Sequence, residues 1–152
     1  MSVLVEVSLE AVRKELAEAI SYAASANLAI EASGLSAEHL KFSVTFHNRA
    51  GEHFYAEFDC REYPLFPPTI EFTDEIGQAR GLRRLYPNVF HTTPCVCMRY
   101  NRKAYGELGG PHGDWRLVDW RLPTPGGGPI TTLPMMISDL HAKILNATRR
   151  MS

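Results

Sequence analysis

Fifteen residues, Tyr86 to Tyr100 (YPNVFHTTPCVCMRY), gather most of the reactive chemistry in this chain. They hold two of its three cysteines, Cys95 and Cys97, and one nearby side-chain amide, Asn88. Arg99, Arg102 and Lys103 follow closely, and neighbouring cations favour thiolate over thiol. Val96 and Met98 flank Cys97 and can anchor its backbone in apolar surroundings. A chain that folds back at Asn88 brings its amide to a developing oxyanion on a sulfur-bound carbonyl. Cys97 is therefore read as a nucleophile carrying an acyl group. Other chemistries use the same residues. A Cys-His hydrolase would take His91 or His112 as its base. A zinc site would draw on His91, Cys95, Cys97 and His112, although Cys-x-Cys fits the usual Cys-x-x-Cys knuckle poorly. The blandest reading makes both thiols inert packing groups.

The chain that must position these residues has 152 residues and is read as one domain, 1–152. Its formal charge of -1 offers no general pull toward nucleic acid or an anionic membrane. No apolar run is long enough to span a bilayer. An odd cysteine count without a signal-peptide pattern points to free thiols in a reducing, cytoplasmic setting.

Ser8 is expected to cap a helix over LEAVRKELAEAISYAASA, with Leu9, Val12, Leu16, Ile20 and Ala23 as its apolar face. Arg13, Lys14, Glu15 and Glu18 then form a solvated face, or a docking face for a protein partner. A period of two follows. Leu28, Ile30 and Ala32 give a first strand; Phe42, Val44 and Phe46 a second; Phe54, Ala56, Phe58 and Cys60 a third. Asn48 to Glu52 between the last two reads as a hairpin loop, and Cys60 as a small core residue. Tyr63 to Pro68 reads as a stiff extended connector packing Tyr63, Leu65 and Phe66 on the core. Thr69 to Phe72 is a fourth strand. Short connections favour an antiparallel meander, hence an α+β fold. Residues 73–85 read as loop or short helix, with Arg80, Arg83 and Arg84 on the surface. Asn101 to Gly128 reads as one long loop, its two tryptophans folding part of it back on the body. The last element is a helix on Leu133, Ile137, Leu140 and Ile144, capped by Thr131 or Thr132 and complemented by Arg149 and Arg150.

The order of these features resembles the ubiquitin-conjugating enzymes. Tyr63-Pro64-Leu65-Phe66-Pro67-Pro68 matches that family's Tyr-Pro-x-x-Pro-Pro motif at every fixed position. Tyr86-Pro87-Asn88 resembles its His-Pro-Asn segment, with Tyr for His. Val96-Cys97-Met98 is similar to its Ile-Cys-Leu. Pro129-Ile130-Thr131-Thr132 and the helix after them resemble the segment that follows the family's Trp. The likeness runs over nearly the whole chain, and the degree of divergence is similar to that of bacterial relatives encoded beside activating enzymes, often for defence against phage.

That resemblance implies a UBC-like fold: an N-terminal helix, a four-stranded antiparallel meander, an active-site loop and a C-terminal helix. It implies that Cys97 accepts a ubiquitin-like protein as a thioester from an activating enzyme and passes it to a protein substrate's amine. Asn88 would steady the tetrahedral intermediate. Asp114 and Asp119 are candidates for orienting the acceptor, and helix-1 residues such as Arg13 and Lys14 for meeting the activating enzyme. Asn88 stands nine residues before Cys97 and seven before Cys95, on either side of the family's spacing. Both cysteines therefore remain candidates, and the apolar flanks favour Cys97. The scheme needs no cofactor, metal, nucleic acid or membrane. The alternative is a non-catalytic module of the same fold that only binds a ubiquitin-like protein.

Overall fold

The computed structural model describes residues 3–152. Helix α1 (Val5–Ala26) leads into strands β1 (Ala29–Glu31), β2 (Lys41–His47), β3 (His53–Asp59) and β4 (Thr69–Thr73), and helix α2 (Leu133–Ile144) closes the order. The strands pair antiparallel in the order β1-β2-β3-β4. The α+β meander expected from the sequence is the observed architecture.

Alternation sets the register. Phe42, Val44 and Phe46 stand opposite Phe58, Ala56 and Phe54, and Phe58 and Ala56 opposite Ile70 and Phe72. All of these are buried in one core with the inner faces of both helices. The outer face places Glu57 directly opposite Glu71, a repulsive like-charge pair. Arg80 relieves it with a bidentate contact to Glu57 at 2.7 and 3.1 Å, and Lys103 reaches Glu71 at 2.5 Å. The β2–β3 loop turns at Gly51, whose φ of 85° suits glycine.

Helix α1 departs from the expected reading in two ways. It starts at Val5, and Ser8 lies inside it, wholly buried, donating to the Tyr63 carbonyl at 2.6 Å instead of capping. Its buried stripe is Ser8, Val12, Leu16, Ala19 and Ala23, while Ile20 is 51% exposed. Small side chains on that stripe let the helix sit close to its neighbours, which rotates Ile20 outward. Glu15, expected in solvent, is half-buried. Its carboxylate accepts from the Tyr63 hydroxyl and the Leu133 amide, both at 2.7 Å. That second contact puts a negative charge on the first turn of α2, where the helix dipole favours it.

The Pro-rich segment also differs. Residues 61–66 form turns, not an extended connector. Glu62 adopts a left-handed φ of 65°, the Tyr63–Pro64 peptide is cis, and amides of Tyr63 and Phe66 return to carbonyls of Cys60 and Glu62. Tyr63 is buried as expected, but the turn points Leu65 outward. Helix α2 is capped by Thr132, whose hydroxyl accepts from Met135 N–H. It ends at Ile144, so Arg149 and Arg150 lie beyond it, and His141 and Lys143 occupy its last turn.

Candidate functional site

The segment around the cysteines is held by side chains of the polypeptide that follows it. Asn101, wholly buried, is the main brace. Its amide donates to the Val96 and Ile70 carbonyls at 2.9 and 3.2 Å, and its oxygen accepts from the Ile70 and Lys103 amides at 2.8 and 3.2 Å. One side chain thus ties the start of β4 to the residue between the two cysteines. Tyr100 donates to Asp139 of α2 at 2.7 Å, and Tyr105 to the Arg99 carbonyl at 2.8 Å. Nothing in the sequence marks Asn101 for this role. An Asn four residues beyond the cysteine is ordinary in a loop, and only burial reveals that it meets backbone from two segments.

Residues 101–128 are a compact knot of short 3-10 turns, not a free loop. Ala104, Tyr105, Leu117 and Trp120 are buried within it, and Trp120 donates to the Leu65 carbonyl at 2.9 Å. Gly110 packs so tightly that an added Cβ would lie 2.3 Å from Ala104 backbone. Tryptophan anchoring was the part of this region visible in the sequence.

At this knot's edge a cleft of about 200 Å³ opens, lined by Cys97, Trp115, Trp120, Leu122, Pro129 and Ile130 among others. Of the three cysteines, Cys97 alone is partly exposed; Cys60 and Cys95 are buried. Cys95 and Cys97 are separated only by Val96, one thiol buried and the other partly exposed. Burial first, then its neighbour Cys97, push the Cys95 thiol up to about 12. Burial also raises Cys97, while the Cys95 S–H pulls it back down. Burial therefore weighs more heavily on Cys95 than on Cys97. Trp115 stacks on His112 at 3.7 Å between ring centroids, and Arg99 lies 4.6 Å from the Trp115 ring.

Asn88 is engaged elsewhere. Its amide donates to the Thr148 hydroxyl at 2.8 Å and its oxygen accepts from the Thr148 amide at 3.0 Å. Its backbone N–H bonds to Arg149, and the Met151 amide bonds to Tyr86. The chain after α2 thus zips onto the 86–88 segment, a pairing no local pattern in the sequence announces. Tyr86, where the resembled motif has His, is buried with its ring 5.0 Å from that of Phe72.

The remaining candidates are scattered. Asp114 is exposed and Asp119 half-buried, and neither lines the Cys97 cleft. Arg13 and Lys14 lie on the exposed face of α1. His91 is exposed and accepts from the Thr93 amide at 3.1 Å. His112 is stacked on Trp115, and neither histidine hydrogen-bonds a cysteine. Among the described residues no cluster of three or more His, Cys, Asp or Glu has metal-holding geometry, so His91, Cys95, Cys97 and His112 do not form one donor set. No described helix is long and apolar enough to cross a membrane. No protein-family model, curated protein or solved structure matches the chain.

Proposed function

We propose that this protein is a conjugating enzyme for a ubiquitin-like protein, with Cys97 as the thioester-bearing residue. One observation carries the choice of sulfur: Cys97 is the part-exposed cysteine and it lines a cleft, whereas Cys95 is buried. In the first step Cys97 sulfur attacks the activating enzyme's thioester carbonyl, a new C–S bond forms, and the donor thiol leaves. In the second, a substrate amine attacks the same carbonyl, the amine loses a proton, and Cys97 leaves as thiolate. No strong base is required where the amine is placed in line and desolvated, because position supplies much of the rate. The apolar cleft beside Cys97, with Trp115, Leu122, Pro129 and Ile130, would hold the acyl segment and exclude water. Asn88 would serve the tetrahedral intermediate after releasing Thr148.

The test combines the protein with activating enzyme, ATP and the ubiquitin-like partner. A reductant-sensitive adduct is expected in the wild type and in Cys95→Ala, and none in Cys97→Ala. Persistence of the adduct in Cys97→Ala with loss in Cys95→Ala moves the site to Cys95.

A second reading is a non-catalytic binding module of the same fold. The engagement of both Asn88 polar groups by Thr148 favours it. Binding of the ubiquitin-like protein without any adduct under these conditions selects that reading.

A further inference from the structure

Val96 is wholly buried in the core, and the two residues beside it differ in exposure. Cys95 and Cys97 are those residues, with a single residue between them. The segment is pinned on both sides. His91 N–H bonds to the Cys95 carbonyl at 3.3 Å, and the Val96 carbonyl accepts from Met98 N–H and from Asn101, each at 2.9 Å. One thiol faces a cleft open to solvent, and the other lies buried beside it. This is the arrangement of an attacking thiol with a second thiol waiting to close on it.

We propose that Cys95 and Cys97 are a redox pair: hydrogen peroxide entering the cleft oxidises Cys97, and Cys95 resolves the product as a reversible intrachain disulfide. The Cys97 sulfur attacks the peroxide oxygen, the O–O bond breaks, and Cys97 becomes a sulfenic acid with release of water. The Cys95 sulfur then attacks the Cys97 sulfur. An S–S bond forms, the S–O bond breaks, and the thiol proton leaves with the hydroxyl as a second water. Two thiols are oxidised and one peroxide reduced. Two residues in full extension span roughly 6.6–7.2 Å between Cα atoms, and a disulfide needs about 4.4–6.8 Å. A modest bend at Val96 therefore suffices. Cys60, sealed in the core, takes no part. This pairing stands whether or not Cys97 carries acyl groups; where it does, the disulfide switches the carrier off, and the buried partner protects its sulfur from irreversible over-oxidation.

The experiment treats the reduced wild-type protein with hydrogen peroxide, blocks remaining thiols with iodoacetamide, and maps the peptides by mass. The expected result is joint loss of Cys95 and Cys97 alkylation, a net loss of two hydrogens with no added oxygen, and full recovery in dithiothreitol. Cys95→Ser should instead take up oxygen at Cys97 and form a dimedone adduct. Three results overturn the proposal: oxygen accumulating on wild-type Cys97 while Cys95 stays alkylatable, a reductant-sensitive dimer joined through Cys97, or no oxidation of either thiol at peroxide levels that oxidise Cys97 in Cys95→Ser.

Discussion

Two sulfurs two residues apart differ because one is buried and the other is not. Cys97 sits partly in the open, yet burial still holds its pKa above an ordinary cysteine's. Its thiolate fraction at neutral pH is therefore small, and only the thiolate is nucleophilic. The iodoacetamide rate of Cys97 in the reduced protein should keep climbing with pH beyond the range where a free cysteine levels off. A midpoint below that of free cysteine would contradict the burial argument. Asn101 makes a second prediction at this scale. Its truncation strands both polar groups of Ile70 and leaves the Val96 carbonyl with Met98 N–H alone, and each unsatisfied buried group costs roughly 1–3 kcal/mol. Asn101→Ala should lose about 3 kcal/mol in urea unfolding, with faster hydrogen exchange across β4 and residues 95–98. The cysteines and their apolar flanks could be read from sequence because the motif is local. Asn101 could not, because its partners lie at Ile70 and Val96 and only the fold brings them together.

The strands were legible because a period of two, once established in Phe42–Phe46 and Phe54–Phe58, leaves one register that buries all four phenylalanines. Helix α1 was legible as a helix but not in its rotation. Ser8 and Ala19 look indifferent in sequence, yet they face inward while Ile20 faces out. Glu15 follows from the same rotation and ties α1 to Tyr63 and the first turn of α2. Glu15→Gln keeps the shape and removes the charge, so it should cost on the order of 1 kcal/mol; Glu15→Ala also strands the two donors and should cost about 2 kcal/mol or more. Chemical denaturation of both variants beside Tyr63→Phe checks this, since the Glu15 and Tyr63 effects should not add. The helices also meet at a titrating group. His141 of α2 bonds through Nδ1 to the Tyr22 hydroxyl of α1 at 2.9 Å and meets the His47 ring of β2 at 5.6 Å between centroids. Burial first, then the His47 charge, lower its pKa. The folded protein thus binds this proton more weakly than the unfolded chain. Its contribution to stability is present above the ordinary histidine pKa and is lost as pH falls through the lowered one. The melting temperature should drop from pH 7.5 to 5, and His141→Gln should flatten that slope.

Across the whole molecule, the segment after α2 returns to clamp the residues that precede the cysteines. Met151 is buried, its amide bonds to Tyr86, and Thr148 takes both polar groups of Asn88. A chain reading could place Asn88 near Cys97 in sequence but could not foresee a competitor sixty residues later. In the proposed transfer Asn88 would have two tasks, a structural tie to the tail and donation to a carbonyl on Cys97. Thr148→Val separates them. It deletes the hydroxyl that accepts the Asn88 amide and leaves the Thr148 backbone bond in place, so stability should fall by about 1 kcal/mol. The freed amide then needs no exchange of partners to reach an oxyanion. If Asn88 serves the proposed transfer, discharge of the Cys97 thioester to free lysine should speed up severalfold in Thr148→Val. The same substitution in an Asn88→Ala background should leave discharge unchanged, because no amide remains to be freed. Equal acceleration in both backgrounds would assign the effect to a loosened tail and remove Asn88 from the chemistry.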